Sequence, residues 1–133
     1  MPKSGLFRAF GGVTVVSAFV LMQACDNPSG VRELDGVSVN ARNQQVVVSN
    51  NSATAVFEMI IGQNAQTHVD WYPCTDVVRC SPIQPGESRA YPYGKLILDP
   101  GEKEVVVHLW RAVTDGSGVT HASFFGPLIV PLR

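Results

Sequence analysis

The chain has 133 residues, 45 % of them hydrophobic, with ten Lys and Arg against eleven Asp and Glu. That length supports one buried core and leaves little mass for a second. With a formal net charge of −1, no basic run, and arginines scattered at 32, 42, 79, 89, 111 and 133, it excludes a charge-driven nucleic-acid surface.

Residues 1–25, MPKSGLFRAFGGVTVVSAFVLMQAC, begin with the charges of Lys3 and Arg8. They continue as an apolar run over residues 9–22 and reach the small Ala24 directly before Cys25. This segment resembles a bacterial lipoprotein signal. Leu21 stands one position further from the cysteine than the usual leucine, Met22 takes that place, and Gln23 is bulkier than the customary small residue. The resemblance implies that residues 1–24 are removed as a signal peptide and that an acylated Cys25 becomes the mature N-terminus. It also implies a protein held on the lipid bilayer of the bacterial cell envelope, facing the periplasm or the exterior. Two other readings stay open. A plain secretory peptide would leave Cys25 a spare thiol, and residues 6–24 are about long enough for an uncleaved membrane anchor. Each of the three places residues 26–133 outside the cytoplasm.

Losing Lys3 and Arg8 with the signal leaves eight basic against eleven acidic residues, a mild acidity. The chain holds three cysteines. If Cys25 carries lipid, Cys74 and Cys80 remain as a pair, and an oxidising compartment favours a disulfide between them. A zinc site would need more ligands: the gaps from His68 to Cys74 and from Cys74 to Cys80 lack the short C-x(2–4)-C spacing. No metal or other cofactor is expected.

Residues 25–36 read as the lipidated cysteine and a tether, and residues 37–133 as one domain. Strands are expected over residues 37–40, 45–49 and 55–61, with Asn50-Asn51-Ser52 as a turn. In the third of these only Glu58 interrupts an apolar run, which predicts cover on both faces. Residues 68–72 alternate, placing Val69 and Trp71 on one face and His68, Asp70 and Tyr72 on the other. Further strands are expected over 88–93, where Pro92 confines the strand to an edge, and over 95–98. Residues 104–113 form the strongest β-run, with Val105, Val107 and Leu109 opposed to Val106, His108 and Trp110. After the Asp115-Gly116-Ser117-Gly118 turn, residues 119–132 are interrupted at Gly126-Pro127 and Pro131, predicting a bent or edge strand.

Short strands and turns at this spacing predict an all-β antiparallel sandwich, immunoglobulin-like or fibronectin-like. Asn50-Asn51-Ser52, Trp71-Tyr72-Pro73-Cys74, Cys80, Pro85-Gly86, Tyr91-Pro92-Tyr93, Pro100-Gly101 and the run from Val105 to Trp110 resemble small bacterial lipoproteins with one sandwich domain. Pro100-Gly101-Glu102 with Trp110 also resembles proteinase-inhibitor domains of the intracellular BsuPI type, over about a quarter of the mature chain.

Catalytic motifs are sparse. There is no G-x-S-x-G elbow, no phosphate loop G-x-x-x-x-G-K, and no paired carboxylates suited to glycosidase work. His68, His108 and His121 could form a metal site only if the fold brings them together. Large amphipathic rings give contact area at low entropic cost, so Tyr72, Tyr91 and Tyr93 are the candidate binding surface. Trp71 and Trp110 are expected to fill the sandwich core. The expected function is a non-enzymatic, membrane-anchored binding or structural module whose partner is an unidentified envelope protein, peptide or glycan. An inhibitor-like or chaperone-like domain and a metal-assisted hydrolase using the histidines are the alternatives.

Overall fold

The computed structural model describes residues 30–133, so Cys25 and the signal segment lie outside the described residues. Two antiparallel sheets make an all-β sandwich. The first holds β1 (Arg32–Leu34), β2 (Val37–Arg42), β3 (Gln45–Asn50) and β5 (Ser88–Pro92) in the order β1-β2-β3-β5. The second holds β4 (Phe57–Gly62), β6 (Glu104–Thr114), β7 (Thr120–Phe124) and β8 (Leu128–Pro131). β6 is central there: β4 pairs along one side, while β7 and β8 share the other.

The pairings β3–β5, β4–β6 and β6–β7 are the B–E, C–F and F–G pairings of an immunoglobulin-like Greek key. Strand D is missing. Between β4 and β5, where it would lie, the chain forms no strand of its own. Tight turns set the register of the first sheet. Asp35-Gly36 and Asn43-Gln44 each join paired strands through two residues with positive φ, the geometry whose twist matches that of a hairpin.

Alternation then builds the core. Val37, Val39 and Ala41 of β2, Val46 and Val48 of β3, and Val105, Val107 and Leu109 of β6 face the space between the sheets with Val56, Ile60, Ile83 and Val130. The opposite face of the second sheet buries Phe57 and Ile61 of β4, and Val106 and Trp110 of β6. The β4–β6 pair of the second sheet is therefore covered on both faces, while β7 stays largely exposed.

Four expectations change. Arg32–Leu34, expected within a 25–36 tether, instead pairs with β2 as the edge strand β1. Residues 68–72 form no strand. Residues 95–98 contribute only a bridge from Ile97 to Ile61, following a 3-10 turn at Tyr93–Lys95. Trp110 lies outside the inter-sheet core, on the outer face of β6, and Trp71 packs against it there. The bent final run is observed as two strands, β7 and β8, joined through a cis Gly126–Pro127 bond, and β5 with Pro92 is an edge strand.

Register fixes two ends. The 43–44 turn, Gly62, Glu104 and Arg133 gather at one end, where the Tyr93 hydroxyl donates to the Arg133 carbonyl at 2.9 Å. Gly30 packs against the Arg133 guanidinium, so the described chain enters there. At the other end the Arg111 guanidinium donates to Thr54 Oγ1 at 2.8 Å and to the Asp35 carbonyl at 3.2 Å.

At that second end Asn50 is buried and fully used. Its amide donates to the carbonyls of Thr54 (2.8 Å) and Ile83 (2.9 Å), and its Oδ1 accepts from Ser52 N (3.0 Å) and Ser52 Oγ (2.6 Å). One side chain thus holds the β3–β4 corner against the strand returning to β5. Asn50→Ala strands several buried polar groups and is expected to cost about 2–4 kcal/mol in urea unfolding. A loss below about 0.5 kcal/mol, the usual surface range, would refute this role.

Candidate functional site

Residues 63–83 replace strand D with a strap across the outer face of the β4–β6–β7 sheet. The strap starts at Gly62, where a Cβ would collide with the Glu102 carboxylate. That carboxylate accepts from the amides of Asn64 (2.8 Å), Ala65 (3.3 Å) and Asp99 (3.3 Å), fastening the strap to the turn before β6. A 3-10 turn, Ala65–Thr67, follows, and His68 Nε2 meets Asp99 Oδ2 at 2.8 Å. This exposed pair raises the His68 pKa through the hydrogen bond and charge of Asp99.

Further along, the Trp71 ring lies 4.8 Å from His108, 5.7 Å from Trp110 and 6.3 Å from Phe124. Trp110 in turn packs at 6.0 Å on Phe57 and 5.5 Å on Phe124. Its indole N–H donates to the Cys74 carbonyl at 2.8 Å, which sets the height of the strap above the sheet. Burial lowers the His108 pKa, and its Nε2 is enclosed without a hydrogen-bond partner.

The Cys74–Cys80 disulfide then closes a short loop, with Cα atoms 6.3 Å apart. Inside it, Asp76 accepts from the amides of Val78 (2.8 Å) and Arg79 (3.1 Å), and the Cys80 amide donates to the Asp76 carbonyl at 3.0 Å. Those amides hold the Asp76 carboxyl below its usual range. The result is an α-turn that displays Val77 (61 % exposed) and Val78 (84 %), with Tyr72 (89 %) just before the loop. The strap ends where Ile83 bridges Val56.

The three candidate tyrosines do not form one patch. Tyr72 lies on the strap, on the outer side of the second sheet. Tyr91 stands opposite the buried Val46 on β5 and is packed against the core, as is Tyr93. The Tyr91 hydroxyl donates to Glu58, while the Tyr93 hydroxyl is engaged with the Arg133 backbone. The histidines are also spread. His68 is with Asp99, His108 is beneath Trp71, and His121 stands opposite Val113, five strand positions or about 17 Å beyond His108. Among the described residues, no three His, Cys, Asp or Glu side chains are grouped to hold a metal.

A second locus lies at the open edge between the sheets. Glu58 points inward between the buried Val56 and Ile60, and its carboxylate accepts the Tyr91 hydroxyl. A crevice of about 190 Å³ opens beside it, walled by Met59, Ile60, Leu96 and Ile97, with Lys95 at its rim. Burial raises the Glu58 pKa above the ordinary carboxyl value. Burial and the bond to Glu58 raise that of Tyr91. In the sequence, the signal for this locus is a lone carboxylate in an apolar strand.

No family model matches the chain, and neither a curated protein nor a solved structure matches it.

Two outcomes follow from this geometry. Replacing Cys74 and Cys80 together by serine is expected to lower stability by about 2–2.5 kcal/mol on the chain-entropy model. Tryptophan emission should shift to the red as Trp71 leaves Trp110, and an unchanged spectrum would show that the loop does not pin the strap. For Glu58, a raised pKa means that folding favours the protonated acid. Its stabilising contribution is full below the ordinary carboxyl pKa and is lost as pH rises through the raised value. Glu58→Gln should therefore melt above the wild type at pH 7, the gap closing near about pH 4. Equal melting temperatures at both pH values would contradict the burial cost.

Proposed function

We propose that the chain is a lipoprotein of the bacterial cell envelope, anchored through acylated Cys25, whose sandwich serves as a non-catalytic binding module. The observation that carries this reading is the partition of the cysteines. The bridge takes Cys74 and Cys80, leaving Cys25 as the one cysteine outside it, directly after the apolar signal. An exported compartment accounts for the disulfide, and lipidation accounts for the third cysteine.

The placement of the ends suits an anchor. Between Cys25 and Gly30 the chain can reach about 17 Å at most, so the entry end of the sandwich stays close to the bilayer. The exposed Tyr72, Val77 and Val78 then stand towards the opposite end, open to an envelope protein, peptide or glycan. A substrate-like inhibitory loop would be extended, whereas this loop is an α-turn, so the inhibitor reading gains no support from it.

Burying acyl methylenes contributes about 0.8 kcal/mol each, so two or more chains give lasting attachment where one gives only marginal binding. Cys25→Ala is expected to move the protein from the membrane fraction to the soluble fraction, or to leave the signal uncleaved. Mass spectrometry of the wild type should find a mature chain beginning at acylated Cys25. An unlipidated Cys25 in the membrane-associated protein would overturn the assignment.

A further inference from the structure

We infer that the crevice beside Glu58 is a binding site for a primary alkylammonium group, such as the lysine side chain of a partner chain. Glu58 occupies an inward position where its neighbours Val56 and Ile60 are core residues. A carboxylate there breaks the apolar pattern of the strand, and such breaks concentrate at functional sites. Among the described residues no Lys or Arg forms an ion pair with it, and the charge of Arg89 acts on it only from a distance. Arg89 carries the nearest charge on the facing strand, and it is spent on Glu87 and on the carbonyls of Ser81 and Pro82. Lys95 stands at the rim without an ion pair to Glu58. The hydroxyl of Tyr91 is the one side-chain donor that Glu58 has among the described residues.

The edge of β4 adds a second acceptor. Val56 and Ile83 exchange backbone bonds of 3.0 and 2.8 Å, and the Gly62 amide donates to Ile97 at 2.8 Å, so these residues turn their backbone groups away from β6. Strand alternation turns the Glu58 carbonyl to the same side, in the gap between the two bridges. Ile83 and Ile97 already occupy the edge, so an added strand has no room, but a single side chain does. Met59, Ile60, Leu96 and Ile97 supply walls for an apolar stem, and the carboxylate and carbonyl supply acceptors for its head. The ammonium gives the half-buried carboxylate a direct ion pair, where Arg89 supplies only a more distant charge, and so reduces the cost of keeping it ionised. This site is independent of the anchoring reading.

The test is an NMR titration of the full chain with Nα-acetyl-lysine methylamide, with the norleucine and glutamate analogues as controls. The lysine probe should give saturable shifts confined to Met59, Ile60, Tyr91 and Ile97. Its affinity should exceed that of norleucine by about tenfold or more, the scale of one charge-assisted bond. Saturation should also lower the Glu58 carboxyl pKa, read directly by carbon-detected titration with Arg89, Glu87, Tyr91 and Lys95 unchanged in sequence. Glu58→Gln should keep the fold and lose the preference for lysine. Equal binding of the norleucine probe, tighter binding of the glutamate probe, or a lysine preference that survives in Glu58→Gln would overturn the proposal.

Discussion

The structure depends on burying both faces of one strand pair. β6 turns Val105, Val107 and Leu109 towards the first sheet and Val106 and Trp110 the other way, and all five are buried. Antiparallel sheets in sandwiches commonly leave the outer face to water, so a strand apolar on both faces needs a second cover. Fully burying a large apolar side chain contributes about 1.5–3 kcal/mol, which makes the outer cluster of Phe57, Trp110 and Trp71 a substantial part of the stabilisation. The chain meets this demand by diverting residues that would otherwise form strand D. The missing strand and the aromatic outer face are therefore one feature.

A strap with backbone ladder bonds only at its two ends must be held between them in other ways. Glu102 gathers three amides at its start, the Trp110 indole holds its middle through the Cys74 carbonyl, and the Ile83–Val56 bridge holds its end. The disulfide closes the stretch between the last two fixings. It restrains the unfolded chain over only a short loop, so its contribution lies at the low end of the usual disulfide range, and in the folded chain it acts on this loop alone. Val77, Val78 and Tyr72 are thus exposed on a segment whose backbone is bonded on both sides.

The sequence made the sandwich legible because its core strands alternate and its turns are chemically explicit. Asn43, Asp35 and Gly36 suit positive φ, and the Val105 to Trp110 run has no helical period. The strap departs from the strand expected over residues 68–72 for a physical reason. Val69 and Trp71 alternate with polar residues as a strand would, yet a coil lying over a sheet also buries one side and wets the other. Period alone does not separate the two. The two tryptophans followed the same error, since a large ring was assigned to the inter-sheet core when the outer face was the apolar surface without a partner. β1 escaped notice because Arg32 and Glu33 read as solvated tether, although an edge strand needs only backbone bonds to pair. Tyr72, Tyr91 and Tyr93 share their ring chemistry, which says nothing about which sheet each one joins.

The buried Asn50 and the half-buried Glu58 behave in opposite ways, and the contrast separates architecture from site. Asn50 is neutral, and both ends of its amide are satisfied by groups within its own corner, so its burial costs little and fixes a turn. Glu58 is acidic, receives one hydroxyl, and faces a crevice instead of packed atoms. A carboxylate retained only for structure would be better replaced by an apolar side chain matching Val56 and Ile60, because a partly desolvated carboxylate without a direct ion pair costs stability. Its presence at the one break in the β4 edge makes sense if a ligand completes the missing pairing. A small sandwich held by its own strap can bear that local cost, and the open edge between β4 and β5 is where a partner's side chain can reach it.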